Sequence, residues 1–220
     1  MLPPLIYTPP AHRSLQILFQ DDTLIILNKP SGLLSVPGRG EDKQDCMLSR
    51  LLTEHPSALT VHRLDMSTSG IIIFALNKQI QRELSSLFEH RKVYKRYVAR
   101  VQGKVENHKG VIDQPLITDW PNRPKQKIDY ASGKPSTTRY TLKSYNENNT
   151  SDVLLEPVTG RSHQLRVHMS SLGHPILGDE LYGTLTSRNA SDRLLLHSES
   201  IAFTHPETQK WISIHSTEEF

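Results

Sequence analysis

The chain has one cysteine, Cys46, in 220 residues. A single thiol excludes a disulfide framework and any multi-cysteine zinc site. No apolar run approaches the roughly 18 residues that a membrane-spanning helix needs. The first ten residues carry four prolines, three of them in PLIYTPP, and no basic segment, so they lack the pattern of a secretory signal. A cytoplasmic location is the expectation. Neither GxxxxGKS/T nor GxGxxG occurs, so nucleoside-triphosphate and dinucleotide chemistry lack their phosphate loops. His163 and His168 miss the i, i+4 spacing of helical zinc ligands, and His62 beside Asp65 has no further ligands close in sequence, so no metal is expected. There is no internal repeat and no low-complexity tract.

Apolar residues make up 36% of the chain and charged residues 22%, enough for a core and too mixed for a disordered polymer. Lys and Arg number 26 against 23 Asp and Glu, a net charge of only +3. The distribution is uneven. From Lys78 to Lys104, eight basic residues (Lys78, Arg82, Arg91, Lys92, Lys95, Arg96, Arg100, Lys104) are opposed only by Glu83 and Glu89. Arg123, Lys125 and Lys127 form a second basic stretch. A local basic excess on a near-neutral chain points to a polyanion-facing surface; the plainer reading is a solvated helix face.

Periodicity predicts strands at 24–29, 70–76, 94–101, near 136–144 and 152–158, and over 193–203 and 211–216. It predicts helices over 45–54, with Cys46 packed in the apolar stripe, over 78–92 and over 162–172. Ser162 is the expected N-cap of the last helix and Gly173 its stop, with Leu165, Met169 and Leu172 facing the core. Many strands with few helices indicate an α+β domain around a mainly antiparallel sheet. No linker divides it.

Two segments carry the candidate chemistry. In Val61–Gly70 (VHRLDMSTSG), extended backbone would put Arg63 and Asp65 on one face, and Ser67 to Gly70 offer hydroxyls and amides suited to a carboxylate or phosphate. The plainer reading is a surface ion pair of little worth. In Thr159–His168 (TGRSHQLRVH), helical spacing gathers His163, Arg166 and Ser170 on one face, where covered cations would need an anionic partner such as Asp65 or a phosphate. The plainer reading is the wet side of an amphipathic helix.

HRLDMSTSG resembles the H-R-L-D-x-x-T-S-G signature of the RluA family of pseudouridine synthases. NKPSGLLSVPG (Asn28–Gly38), YKRYVARVQG (Tyr94–Gly103), GRSHQLRVHMSSLGHPILGDELYG (Gly160–Gly183) and RLLLHS (Arg193–Ser198) resemble further motifs of that family, in the expected order. DWPNRPKQK (Asp119–Lys127) is similar to the branch after which the family is named. The resemblance implies a single catalytic domain at 15–220 behind an arm at 1–14, with no extra N-terminal RNA-binding domain. It implies an α+β fold, a mainly antiparallel mixed sheet with flanking helices and a central RNA-binding cleft. The activity implied is isomerisation of uridine to pseudouridine in a tRNA anticodon stem-loop and in 23S ribosomal RNA. No cofactor, no membrane and no obligate protein partner are implied, and the chain is expected to be a monomer.

The same resemblance makes Asp65 the nucleophile. Attack at ribose carbon 1′, attack at uracil carbon 6, and proton abstraction from the sugar are all open. An attacking carboxylate has to be anionic; burial opposes this and a guanidinium favours it, and Arg166 is the expected partner. Tyr97 matches the family tyrosine, for proton removal from carbon 5 or for stacking; its plainer reading is a core tyrosine of a strand. The target base has to leave its stack, and Arg63 is expected to fill the gap. RNA contacts are expected from His62, Arg63, Thr68, Lys78, Arg91, Lys92, Lys95, Trp120, Arg123, Lys125, Lys127, Arg161, His163 and Gln164. Two rival classes remain: a carboxylate-dependent glycosidase that frees uracil, and a non-catalytic RNA chaperone.

Overall fold

The computed structural model describes residues 7–218 and Phe220. The arm expected at 1–14 therefore lies partly outside the described residues. Two compact units divide the chain. One comprises residues 7–95 and 197–218, the other Arg96–Leu196 with Phe220.

The first unit opens with β1 (Ile17–Gln20) and β2 (Leu24–Lys29), then α1 (Met47–Leu52), β3 (Leu59–Thr60), β4 (Ser69–Ala75) and α2 (Lys78–Glu89). Every residue of β4 is buried, as its unbroken apolar run requires. β2 runs antiparallel to β4, with Leu24 opposite Ala75 and Lys29 opposite Gly70. Ile80 and Leu84 of α2 pack with Leu24, Ile26, Ile71, Ile73 and Phe203 in the core of this unit. Asn77 caps α2, its side-chain oxygen accepting the Ile80 N–H at 2.9 Å. Cys46 is buried as expected, but as the N-cap of α1 and not within it: its Sγ accepts the Ser49 N–H. Tyr7 and Pro10 are anchored on this unit, Tyr7 Oη donating to Asp45 O and Pro10 O accepting from Arg50.

The second unit takes in β5 (Tyr94–Gln102), β6 (Lys109–Asp113), β7 (Leu116–Thr118), β8 (Gln126–Ile128), β9 (Thr137–Asn146), β10 (Thr150–Pro157), α3 (Gln164–Ser171) and α4 (Leu185–Asn189). Strands β5, β10, β9 and β6 lie side by side and antiparallel, while β7 and β8 form a separate hairpin. Leu165 and Met169 of α3 pack on Ala99, Val101, Val153, Leu155 and Ile176. The chain then returns to the first unit with β11 (Leu196–Thr204) and β12 (Trp211–His215). β11 runs parallel to β4 and antiparallel to β12, so the sheet is mixed but mostly antiparallel.

The expected α+β class is therefore observed, and element boundaries fall close to the periodicity. Two details of α3 differ. Ser162 is not its cap: the helix starts one residue later, behind His163 at φ 55°, and the Gln164 side chain closes the entering turn by accepting from Arg161 N and Thr159 Oγ1. Leu172 is exposed instead of core-facing, because α3 ends at Ser171 and Gly173 turns the chain away at φ 83°. No helix among the described residues is long and apolar enough to cross a membrane.

Gly70 sits at φ 108°, and a Cβ there would run into the backbone of Ser198, across the β4–β11 pairing. Gly70→Ala should cost at least about 2 kcal/mol in urea unfolding, from backbone strain and overpacking together. An unchanged midpoint would show that β4 and β11 are not so closely apposed.

Candidate active site

The β2–β4 register dictates what surrounds Asp65. Because Lys29 lies opposite Gly70 in an antiparallel pair, the residues after Lys29 run beside those before Gly70. The loop 61–68 is consequently held along its backbone by segment 29–35. Ser35 Oγ donates to Leu64 O at 2.8 Å and accepts Leu64 N–H at 3.1 Å. Met66 O accepts from Gly32 N and from Lys29 Nζ, both at 3.0 Å. Ser31 Oγ donates to Ser67 O at 2.7 Å. Thr68 N closes a turn on Asp65 O at 3.1 Å. Asp65 itself is half-buried, and Arg63 is exposed.

Lys29 is fully buried, with its ammonium also donating to Pro30 O and Leu33 O at 2.9 and 2.6 Å. Burial lowers its pKa to about 7, and the negative charge of Asp65 pulls it partly back. Lys29 thus stands close enough to Asp65, within the same unit, to feel its charge. Sequence reading quoted Lys29 in the NKPSG motif but gave it no role.

His62 anchors the start of the loop. Its ring stacks on Phe88 at 4.5 Å and its Nε2 accepts the Ile73 N–H at 3.0 Å. Lys95 Nζ lies 5.8 Å from the Phe88 ring centre. Burial first, and the Lys95 cation second, hold the imidazole at about pKa 3. His62 is therefore a neutral peg that fixes the loop. Thr68 is 3% exposed. Beyond it, Ser69 Oγ meets the buried His197 Nδ1 at 2.9 Å.

In the second unit, Arg166 is 5% exposed and its Nε and Nη2 donate to Asp179 at 2.8 and 2.7 Å. The carboxylate that takes this fork is Asp179, thirteen residues downstream. Burial pushes the Asp179 carboxyl up, but Arg166 and the N–H groups of Tyr182 and Leu181 outweigh it and leave the pKa below the ordinary value. Such a buried fork is costly to break from one side, by about 3–5 kcal/mol, because the remaining charge is stranded. The predicted common face of His163, Arg166 and Ser170 is present, and all three converge on Tyr182: His163 Nδ1 lies 2.7 Å from its Oη, Arg166 lies 5.2 Å from its ring centre, and Ser170 Oγ donates to its carbonyl at 3.0 Å.

Gln164, expected on RNA, is buried and committed inside the protein. Its oxygen accepts from Thr159 and Arg161, and its amide donates to Thr137 O and Thr138 Oγ1, both at 3.0 Å. Tyr97 is half-buried and packs against the core of its unit. Arg161 is exposed, with Nε directed to Pro135 O at 3.4 Å. Lys78, Arg91 and Lys92 are exposed, while Lys95 is half-buried and burial lowers its pKa. Arg100, counted in the basic stretch, is instead locked bidentate on Asp152 at 2.7 and 3.0 Å. At the β7–β8 tip, Trp120 is 66% exposed, with the Arg123 guanidinium 4.6 Å from its ring centre. Lys125 is half-exposed and Lys127 exposed, 3.9 Å from Asp129.

The profile of the family described as RNA pseudouridylate synthase matches residues 23–171. The dual-specificity RNA pseudouridine synthase RluA of Escherichia coli K12 is 54% identical over 91% of this chain and 91% of its own length. The chain belongs to the RluA family of RNA pseudouridine synthases. A second RluA, from Pasteurella multocida, is 50% identical over 94% of both chains. Among solved structures, human RNA pseudouridylate synthase domain containing 1 superposes with a TM-score of 0.77 at 28% identity, covering 99% of this chain and 86% of that one. Like the rest of the family, the chain isomerises uridine in RNA.

The neutral state of His62 has a consequence for stability. Its folded pKa of about 3 lies below the ordinary histidine value, so between roughly pH 6.5 and 3 the unfolded chain takes up a proton that the native state refuses. Stability should fall as pH drops through that window. His62→Gln, whose amide oxygen keeps an acceptor for Ile73, should flatten urea stability measured between pH 7 and 4. Parallel curves for the two proteins would show that His62 is not held neutral.

Proposed function

We propose that Asp65 is the nucleophile of this synthase and that the enzyme acts on two RNA classes, a tRNA anticodon stem-loop and 23S ribosomal RNA. The observation that carries the first claim is the aspartate of the HRLD signature on a loop whose backbone groups are held from Leu64 to Ser67. An attacking carboxylate must stay within a few tenths of an ångström of its path, and a loop fixed before substrate arrives supplies that at no cost in ordering. The second claim is supported by the dual-specificity description of the bacterial relatives together with the DWPNRPKQK resemblance.

The chemistry is redox-neutral. The bond from uracil N1 to ribose C1′ breaks, the ring turns, a bond from C5 to C1′ forms, C5 loses its proton and N1 gains one. Asp65 holds the sugar or the base while the two are apart, as carboxylates do in glycosidases. Arg166 and Tyr97 are the other two residues we assign to this chemistry, Arg166 as a fixed cation and Tyr97 at the C5 proton or under the uracil. Arg63 fills the space the flipped uridine leaves. Lys78, Arg91, Lys92, Lys95 and Arg161 serve phosphates. Trp120 stacks on an unpaired base with Arg123 behind it, and Lys125 and Lys127 meet the adjoining backbone. We place the enzyme in the cytoplasm, acting as a monomer from a catalytic domain at 15–220.

The test uses RNA tritiated at uracil C5. The wild-type chain should release tritium to water while leaving RNA length and base content unchanged. Asp65→Asn should lower that release by about three orders of magnitude or more, with folding and RNA binding retained. Appreciable turnover by the variant would remove Asp65 from the nucleophile role. Free uracil among the products would mean a glycosidase, and binding without tritium release a chaperone.

A further inference from the structure

Tyr182 is bonded at every polar atom, and its bonds join two parts of the second unit that sequence separates. Its N–H donates to Asp179 Oδ1 at 3.1 Å, the carboxylate that also holds Arg166. Its carbonyl accepts Ser170 Oγ of α3. The face of its ring is turned to the Arg166 guanidinium, and its edge meets the His163 ring at 5.6 Å and 78°. These contacts fix the tyrosine to α3 and to the Asp179–Arg166 pair. The hydroxyl reaches the other way. It accepts the backbone N–H of Gln126 at 2.8 Å while bridging to His163 Nδ1 at 2.7 Å.

Gln126 opens β8, opposite Thr118 in the β7–β8 hairpin. The hairpin tip carries the exposed Trp120 with Arg123 against it, and Lys125 and Lys127 flank Gln126. A short two-stranded hairpin holds its own shape weakly, so its orientation depends on what it is tied to. The phenol ties it, through a main-chain group, to the helix that carries Arg166. A tie to the main chain sets where the whole hairpin stands and not only one side chain.

We propose that Tyr182 is a specificity-determining positioning residue, whose hydroxyl fixes the β7–β8 hairpin against α3 and so sets which RNA loop shapes the enzyme accepts. This rests on the reading that the hairpin touches RNA. With the hairpin anchored, an RNA has to present its unpaired base and backbone where Trp120, Arg123 and the lysines already stand. With the hydroxyl gone, the hairpin is still held at its base, where Leu116 and Lys134 exchange N–H···O bonds. Its tip is freer, however, and more of it must be ordered by the RNA itself, which weakens binding and lessens discrimination between loops.

Tyr182→Phe removes the hydroxyl and keeps the ring beneath Arg166. It should be assayed on a tRNA anticodon stem-loop and on a 23S ribosomal RNA hairpin, with kcat and KM measured separately. KM should rise about threefold to tenfold, the equivalent of one lost hydrogen bond, unequally for the two RNAs and with kcat preserved. In a Trp211→Phe background, Trp120 becomes the only tryptophan, and its fluorescence anisotropy should fall in Tyr182→Phe. Once Trp120 is replaced by Ala, Tyr182→Phe should add little further to KM. A fall in kcat with KM unchanged would overturn the proposal, since the hydroxyl would then serve the chemistry and not the hairpin. Unchanged kinetics and anisotropy would overturn it too. Should Trp120→Ala raise KM while Tyr182→Phe does not, the proposal alone fails. If neither Trp120→Ala nor Arg123→Ala moves KM, the hairpin does not meet RNA and both readings fail together.

Discussion

The backbone of one loop, gripped from below by a neighbouring segment, is the constraint on which the rest of the first unit depends. The antiparallel β2–β4 register brings residues 29–35 beside residues 64–68, and side chains of the former take up main-chain groups of the latter. Each such bond contributes only about 1 kcal/mol net, but leaving a buried partner unmet costs more, so the loop has little freedom to move without breaking several at once. His62 on one side and Ser69 on the other extend the grip, the first through Ile73 and Phe88 and the second through His197. A flexible side chain on a fixed loop is a reproducible nucleophile. The same side chain on a mobile loop would lose attack geometry in most encounters.

The second unit uses a different device. Here one buried ion pair, Arg166 with Asp179, is joined by neutral hydrogen bonds from the Leu181 and Tyr182 N–H groups to Asp179 Oδ1. Charge buried in this way carries a desolvation cost, and retention of a costly arrangement fits a guanidinium held ready for function rather than for stability. Arg166 is held in place by the fork on Asp179 and by the ring of Tyr182, so its orientation does not depend on substrate. The basic residues divide along the same line. Arg100 is consumed by Asp152, whereas Lys78, Arg91, Lys92 and Arg123 remain exposed.

Much of the fold was legible because its elements are locally consistent. Leu24–Lys29 reads as a strand from its apolar run and the Pro30-Ser31-Gly32 turn, and α2 from Ile80, Leu84, Leu87 and Phe88 on one stripe; both are observed. The helix α3 was legible in type but not at its ends, since its entry is closed by Gln164, which bonds back to Thr159, Thr137 and Thr138. Polar residues near the signature also serve the fold in ways the sequence does not display: His62 accepts the Ile73 N–H, Thr68 is buried, and Gln164 bonds to groups as far as 27 residues away. Lys29 was not legible either, because nothing local marks a lysine as buried; three carbonyls that the fold brings together make it so. That Arg166 needs an anion was readable from its place on a covered helix face. The fork on Asp179 was not, since that carboxylate reaches it through the turn that ends in Tyr182.

Amide hydrogen exchange, followed in the absence of RNA, addresses the grip on the Asp65 loop most directly. The N–H groups of Gly32, Leu64 and Thr68, bonded to Met66 O, Ser35 Oγ and Asp65 O, should exchange slowly, with protection approaching that of β4. Exchange at the rate of an open surface loop would contradict the account, because Asp65 would then be ordered only when substrate arrives.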